Sequence, residues 1–205
     1  RIRGAQVVAV CDVFEEGAKK GAEIAGAGTK VYTDFNEAIN DPDVNAVVVT
    51  TPGQFHKGPV LAAIKAGKPV FSEKPLANTA ADGKEIVEAE MAGGKHLVQV
   101  GFMRRDDRGY AEMKRIIDSG EIGKPLLIKC CHRNVAQGPG FKTENGVTNV
   151  AIHELDICRW LLGDEYEDVQ CVKVRQSSNS NKGYDNPQVM LMRTKNGCFI
   201  DVEVQ

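Results

Sequence analysis

The sequence lacks the features that mark several classes of protein. Its formal net charge at pH 7 is only −2, which gives no electrostatic reason to expect a nucleic acid or an anionic membrane as partner. The basic residues are scattered, without stacking aromatic side chains among them, which also argues against nucleic-acid binding. No apolar run approaches the roughly 20 residues that a membrane-spanning helix needs. The composition, with 42% hydrophobic and 26% charged residues, is that of a soluble globular protein.

The six cysteines do not form a metal-binding or disulfide pattern. None belongs to a Cys-x-x-Cys pair, and none lies at zinc-site spacing from a histidine. We therefore expect no metal site, and thiols that are reduced, mostly buried and not catalytic. Reduced thiols indicate a cytoplasmic location, and the opening Arg1-Ile2-Arg3 lacks the apolar core of a secretory signal.

Short apolar runs alternate with helical stretches over the first hundred residues. Continuous apolar strands between helices are typical of a parallel sheet that is covered on both faces. Ligands of such sheets bind beyond the carboxyl ends of the strands, where Asp12, the run 50–52 (Thr-Thr-Pro) and the run 73–75 (Glu-Lys-Pro) fall. The predicted strands are 7–10, 30–32, 46–49, 69–71 and 97–100, and the predicted helices are 15–25, 35–39, 59–66 and 80–91.

The pattern changes after residue 101. We predict helices over 108–118 and 147–162, and strands over 126–132, 169–174, 189–194 and 198–204, with Asn196-Gly197 as the turn of a hairpin. The expected fold is therefore α/β. A Rossmann-type parallel sheet (1–100) precedes an α+β domain (101–205) with an open, mostly antiparallel sheet. Because the sequence starts without methionine just before a strand and stops inside a hairpin, we expect both domains to be truncated.

Two strand ends present residues that can do chemistry. Asp12 ends the first predicted strand, where an acidic residue can accept hydrogen bonds from the adenosine ribose of a dinucleotide. The alternative is that Asp12 caps the following helix. Lys74 precedes Pro75, which favours an extended backbone at the lysine. A partly desolvated ammonium there could polarise a hydroxyl and stabilise an alkoxide, although an isolated lysine is more often a solvated surface residue.

The predicted helix 147–162 contains a polar stripe. Asn149, His153, Asp156 and Trp160 are spaced as one face of an α-helix, and residues 151, 155, 158 and 162 form the opposite, apolar face. A histidine with an aspartate one turn later could act as a general base. The stripe could equally be the solvent-exposed face of an amphipathic helix. Arg104, after another strand end, could bind a hydroxyl-rich or anionic ligand or simply be exposed.

Three motifs in order resemble the Gfo/Idh/MocA family over nearly the whole chain. They are the run 51–56 (Thr-Pro-Gly-Gln-Phe-His) with Lys-Ala-Gly-Lys-Pro at 65–69, Glu-Lys-Pro-Leu at 73–76, and Ile-His-Glu-Leu-Asp at 152–156. The run 100–106 (Val-Gly-Phe-Met-Arg-Arg-Asp) and Gly-Glu-Ile-Gly-Lys-Pro at 120–125 are similar to the inositol dehydrogenases of that family in particular.

The resemblance implies an NAD-dependent dehydrogenase of a cyclic polyol or sugar, with NADP a less suitable cofactor. It implies that Lys74 and His153 are catalytic, assisted by Asn149, and that Asp156, Arg104 and Lys74 bind the substrate. It also implies homo-oligomers formed through the open sheet. The residues implied to bind the cofactor are Asp12, Thr50, Thr51, Pro52, His56, Glu73 and Lys74.

The sequence departs from the family pattern at two places. Asn149 stands where the inositol dehydrogenases are expected to have an aspartate, and an amide can orient an imidazole but cannot stabilise an imidazolium as a carboxylate does. No Gly-x-Gly-x-x-Gly is present, so we expect the chain as given to bind NAD poorly and its sheet to lack a central strand. Two alternatives stay open: a redox-neutral, NAD-dependent glycosidase and a non-catalytic sugar- or cofactor-binding protein.

Overall fold

The computed structural model describes residues 4–135 and 137–205, so the opening residues considered above for a secretory signal lie outside the described part. The chain divides into two compact units, Arg1–Gly101 and Phe102–Gln205. Among the described residues, no helix is both long and apolar enough to cross a membrane.

The first unit alternates strands and helices as predicted. Its strands are β1 (Ala9–Cys11), β2 (Lys30–Tyr32), β3 (Val47–Val49), β4 (Val70–Glu73) and β5 (Val98–Gly101), and its helices are α1 (Glu15–Ala25), α2 (Phe35–Asn40), α3 (Lys57–Lys65) and α4 (Ala80–Ala92). All strand pairs are parallel. The helix between two strands returns the chain to the end of the sheet where the first strand began, so the next strand runs in the same direction.

The strands of the first unit form two ladders, β1–β2 and β3–β4–β5, which are not hydrogen-bonded to each other within the described residues. The larger ladder has a core in which α3 and α4 pack against the strands: Val49, Val60, Ala63, Val70 and Ile86 are buried there. The helix boundaries follow local signals. Asp34 accepts a hydrogen bond from the Asn36 amide at the start of α2.

The second unit combines a mixed sheet with helices. Its helices are α5 (Arg108–Ser119), the single turn α6 (Thr143–Asn145) and α7 (Ile152–Leu162), and its strands are β6 (Leu127–His132), β7 (Tyr166–Val172), β8 (Gln188–Thr194) and β9 (Phe199–Val204). The strand order is β6-β9-β8-β7; β6 is parallel to β9, and the other two pairs are antiparallel. The predicted hairpin is confirmed, with Gly197 at a positive φ of 88° between β8 and β9.

The core of the second unit lies between α7 and one face of the sheet. Buried residues of α7 (Ile157, Cys158 and Leu161) pack against buried residues of β8 and β9 (Met190, Met192, Ile200, Val202 and Val204). The expectation of mostly buried thiols is wrong, since of the six only Cys158 and Cys198 are buried, whereas Cys11 and Cys130 are half-buried and Cys131 and Cys171 are exposed. Cys131 lies on the outward-facing side of β6, where side chains alternate between the two faces.

The predicted helix 147–162 is α-helical only from Ile152 onwards. The preceding segment, Gly146–Ala151, is π-helical. Side chains compete there for the carbonyl groups of the preceding turn: the Thr148 hydroxyl donates to Glu144 O, and the Gln188 amide donates to Thr143 O. Since these carbonyls bond to side chains, the backbone has a reason to leave the regular α-helical pattern.

Candidate functional site

In the first unit, the candidate residues meet at the carboxyl ends of neighbouring strands. Val49 of β3 pairs with Ser72 of β4. Thr50 and Glu73 are therefore the residues that follow a pair of directly neighbouring residues. Thr50, Thr51 and Pro52 are exposed, and Glu73 and Lys74 are half-buried. The Glu73 carboxylate accepts a hydrogen bond from the Lys74 backbone amide at 3.2 Å. The ladder therefore brings Lys74 and the Thr-Thr-Pro run to one edge.

Asp12 lies in the other ladder, at the end of β1. Its carboxylate is exposed and accepts a hydrogen bond of 2.8 Å from the Phe14 amide. Phe14 precedes the first residue of α1, and no side chain caps that helix. Asp12 therefore stabilises the turn before α1 and does not cap the helix itself, and its charged group faces solvent at a strand end.

His56 is the most buried titratable residue of this unit, with 1% of its surface exposed. Its Nδ1 lies 2.7 Å from the carbonyl oxygen of Pro75, and its Nε2 lies 2.6 Å from the carbonyl oxygen of Thr51. The ring thus lies between the turn after β3 and the turn after β4. Gly53 permits this close approach, because a Cβ atom there would lie 3.0 Å from the Pro75 ring.

In the second unit, the polar stripe of α7 is largely buried. His153 and Asp156 are each only 8% exposed, and Glu154 is 2% exposed. The interpretation of the whole stripe as a solvent-exposed face is therefore wrong, although Asn149 in the π-helical segment is exposed. Buried polar residues need partners, since an unpaired group loses its hydration without compensation.

Arg104 and Arg105, which lie between β5 and α5, supply such partners. Arg104 Nη1 lies 2.6 Å from the Glu154 carboxylate, and Arg105 binds both oxygens of the Asp156 carboxylate at 2.8 and 2.5 Å. The two-pronged contact of Arg105 is the stronger geometry for a carboxylate. The predicted substrate residues Arg104 and Asp156 are therefore both held in ion pairs, each with a partner that the sequence did not indicate.

His132, which the sequence analysis did not single out, completes this cluster. Its Nδ1 lies 3.1 Å from Glu154, and its ring stacks on the ring of His153 with centroids 6.3 Å apart. The available signal was its position, since His132 is the last residue of β6. We refer to Arg104, His132, His153 and Glu154 as the histidine cluster.

The Cys158 thiol, which is buried beside this cluster, is a poor nucleophile. Cys130 and Cys158 approach to 3.6 Å between sulfur atoms; this contact, together with burial, raises the pKa of the Cys158 thiol, and the same contact lowers the pKa of the half-buried Cys130. In the first unit, burial and the carboxylates of Asp34 and Asp12 raise the pKa of Cys11. A raised pKa keeps a thiol protonated, which argues against Cys158 and Cys11 as nucleophiles. Residues 4–135 and 137–205 contain no cluster of three metal-ligating side chains.

Comparison with known families covers both units. Residues 1–102 match the model described as "Oxidoreductase family, NAD-binding Rossmann fold", and residues 110–205 match the model described as "GFO/IDH/MocA C-terminal domain". The chain belongs to the Gfo/Idh/MocA family. The family resemblance and the α/β fold predicted from the sequence are thereby confirmed.

Several relatives that are similar over nearly the whole chain are inositol dehydrogenases. The chain is 47% identical over 203 residues to an inositol 2-dehydrogenase from Klebsiella pneumoniae, covering 99% of this chain and 60% of the relative. It is 51% identical over 199 residues to one from Pseudomonas fluorescens, covering 97% and 59%. The crystal structure of myo-inositol dehydrogenase from Lactobacillus casei in complex with NAD(H) and myo-inositol superposes with a TM-score of 0.95 at 40% identity, covering 100% and 60%. The chain thus spans about three-fifths of the length of these relatives.

Proposed function

We propose that the protein is an NAD-dependent dehydrogenase that oxidises a hydroxyl of a cyclic polyol or sugar, with an inositol as the favoured substrate. The observation that supports this most directly is the match to the L. casei enzyme, which is similar over the whole of this chain and was crystallised with NAD(H) and myo-inositol. The positions of Lys74 at a strand end and of His153 in a buried polar cluster agree with the roles that the family resemblance implies.

The cofactor would be held at the strand ends of the first unit. The exposed Asp12 carboxylate fits the hydroxyls of an adenosine ribose, and its charge would repel a 2′-phosphate, so NAD suits the site better than NADP. The exposed run Thr50-Thr51-Pro52 and the half-buried Glu73 would line the cofactor at the same edge as Lys74. When bound, NAD supplies a hydride acceptor.

The chemistry of the substrate hydroxyl would fall to Lys74 and His153. The Lys74 ammonium would stabilise the developing alkoxide, and the His153 imidazole would take the hydroxyl proton as general base. Arg104 and Asp156 would bind neighbouring hydroxyls; their ion pairs with Glu154 and Arg105 hold both side chains in fixed orientations. Asn149, an amide where an aspartate was expected, would orient the imidazole without adding negative charge.

The test is NADH formation by the full-length protein, followed by absorbance with a panel of inositols, glucose and related polyols. We expect NADH with an inositol, and its loss in Lys74→Ala, because the alkoxide would no longer be stabilised. Lys95→Ala serves as the matched control, since Lys95 is an exposed lysine after α4. Thermal unfolding of both variants would show that they are folded.

The opposite result is equally informative. No NADH from any substrate, despite measured NAD binding, would refute the dehydrogenase. Release of an aglycone from a glycoside without net NADH would then identify the redox-neutral glycosidase, and binding of sugar without turnover would identify a binding protein.

We further propose a cytoplasmic homo-oligomer that assembles through the outward face of the sheet in the second unit. Support comes from large apolar side chains on its two paired strands β6 and β9, with Leu127 61% and Phe199 38% exposed. Light scattering of the full-length protein should give a multiple of the subunit mass, and Leu127→Glu should lower it. A monomeric wild-type protein would contradict the proposal.

A further inference from the structure

We propose that His56 is a positioning residue, which ties the turn after β3 to the turn after β4 through the contacts of its two ring nitrogens with backbone carbonyl oxygens. From the sequence, His56 is predicted to contact the cofactor. Independently of that prediction, the geometry points to a buried link that holds the backbone next to Lys74. The functional part rests on the proposed role of Lys74, whereas the hydrogen-bonding part does not depend on any activity.

The backbone of His56 is fixed by α3, and its ring contacts two other turns. His56 directly precedes α3, and its backbone carbonyl accepts from the Val60 amide at 3.1 Å, so the first turn of the helix fixes its Cα. From there the ring reaches the carbonyl oxygens of Pro75 at 2.7 Å and of Thr51 at 2.6 Å. The side chain has 1% of its surface exposed, so water does not replace either contact.

The nature of both partners determines what the ring must do. A backbone carbonyl oxygen only accepts hydrogen bonds, and a neutral imidazole has a single N–H. Each ring nitrogen lies within hydrogen-bonding distance of a carbonyl oxygen, so the ring N–H has a backbone acceptor in either tautomer.

The link fixes two turns that the proposed function uses. Thr51 and Pro52 belong to the turn expected to line the cofactor, and Pro75 shares its peptide bond with Lys74. Tying Thr51 O to Pro75 O through one rigid ring sets the distance between these turns. Since a misplacement of about 1 Å can cost about 10²-fold in rate, loss of the link should impair Lys74 although His56 touches no reacting atom.

The first experiment observes the ring nitrogens by ¹⁵N NMR of the full-length protein near neutral pH. The His56→Gln variant assigns the resonance, and His96, whose side chain is fully exposed, is the internal reference. We expect the ring N–H of the buried His56 to exchange slowly with solvent, while that of the exposed His96 exchanges fast. Fast exchange of the His56 ring N–H would overturn the buried link, whatever the enzyme assays show.

The second experiment measures kcat and KM in His56→Ala and His56→Gln. An amide can donate a hydrogen bond to one carbonyl but lacks the rigid ring that spans both turns, so we expect kcat to fall by about 10²-fold in His56→Ala and by less in His56→Gln. Added imidazole should restore part of the kcat of His56→Ala, which a general loss of stability would not allow. His96→Ala should match the wild type.

An unchanged kcat in His56→Ala would refute the positioning role. If that variant does not fold, His56→Gln and the NMR of the wild-type protein still decide the matter. If the wild type makes no NADH from any polyol, the proposed function fails, and the NMR result alone judges the link between the two turns.

Discussion

Glu154 offers the sharpest test of how burial determines the strength of an ion pair in this chain. Its carboxylate bonds Arg104 at 2.6 Å and is 3% exposed, and the Arg104 side chain is 20% exposed. A second carboxylate–guanidinium pair joins Arg159 of α7 to Glu165, just after that helix, at a similar distance of 2.5 Å, but its side chains are 47% and 55% exposed. The two pairs therefore differ mainly in burial.

The expected magnitudes differ accordingly. Glu154→Ala leaves Arg104 and His132 without their shared acceptor, and breaking a buried pair in this way costs about 3–5 kcal/mol in the free energy of unfolding. Because Arg104 is partly exposed and can regain some hydration, we expect the lower end of that range. Glu165→Ala breaks an exposed pair, which contributes little to stability because water and salt screen it. The effect of Glu154→Ala should therefore be several times larger than that of Glu165→Ala.

Urea unfolding measures this ratio. The single tryptophan, Trp160, lies in α7, so its fluorescence reports on the second unit. With the same dependence on urea in all variants, the shift of the midpoint is proportional to the change in free energy. Added salt should reduce the effect of Glu165→Ala more than that of Glu154→Ala, because exposed charges are screened more strongly. Equal midpoint shifts in the two variants would refute the reasoning from burial.

Two further predictions concern stability. In Gly146→Ala, a Cβ would overlap the Gln188 side chain, whose amide donates to Thr143 O, so we expect thermal unfolding to show a loss of about 1–3 kcal/mol. A Cβ in Gly138→Ala meets nothing within 4 Å, so that variant should change little; equal effects would contradict the close packing. The hydrogen bond from Lys30 holds the pKa of Asp41 far below its usual range, so this carboxylate contributes stability that is present above about pH 4 and is lost as the pH falls further. The difference between wild type and Asp41→Asn in urea unfolding, followed by circular dichroism, should therefore shrink on acidification, and a constant difference would count against it.

The elements of the fold could be predicted because their signals are local. The apolar run before Thr50, the capping aspartate before α2 and the Asn196-Gly197 turn each determine a backbone conformation through neighbouring residues alone. Most predicted helices and strands accordingly match the structure to within two residues. The fold class followed from the change of pattern near residue 101, on either side of which different kinds of sheet form.

The partners within the site could not be predicted, because they depend on contacts between distant residues. Arg105 and Asp156 are 51 residues apart, and nothing in the sequence indicates that Arg105 binds Asp156 while its neighbour Arg104 binds Glu154. The same applies to His56, whose two acceptors are backbone carbonyls and leave no trace in residue type. The motif located these side chains, and only the folded chain shows what each one bonds.

The relation between Asn149 and His153 shows the limit of arguing from spacing. From the sequence the two residues are predicted to lie one α-helical turn apart, but Asn149 lies in the π-helical segment and His153 follows in α7. A π-helical turn takes more residues than an α-helical one, so a spacing of four residues does not by itself place the two side chains on the same face. The ring of His132, which Glu154 holds in place, stacks on His153 from the end of β6, so this contact does not depend on that spacing.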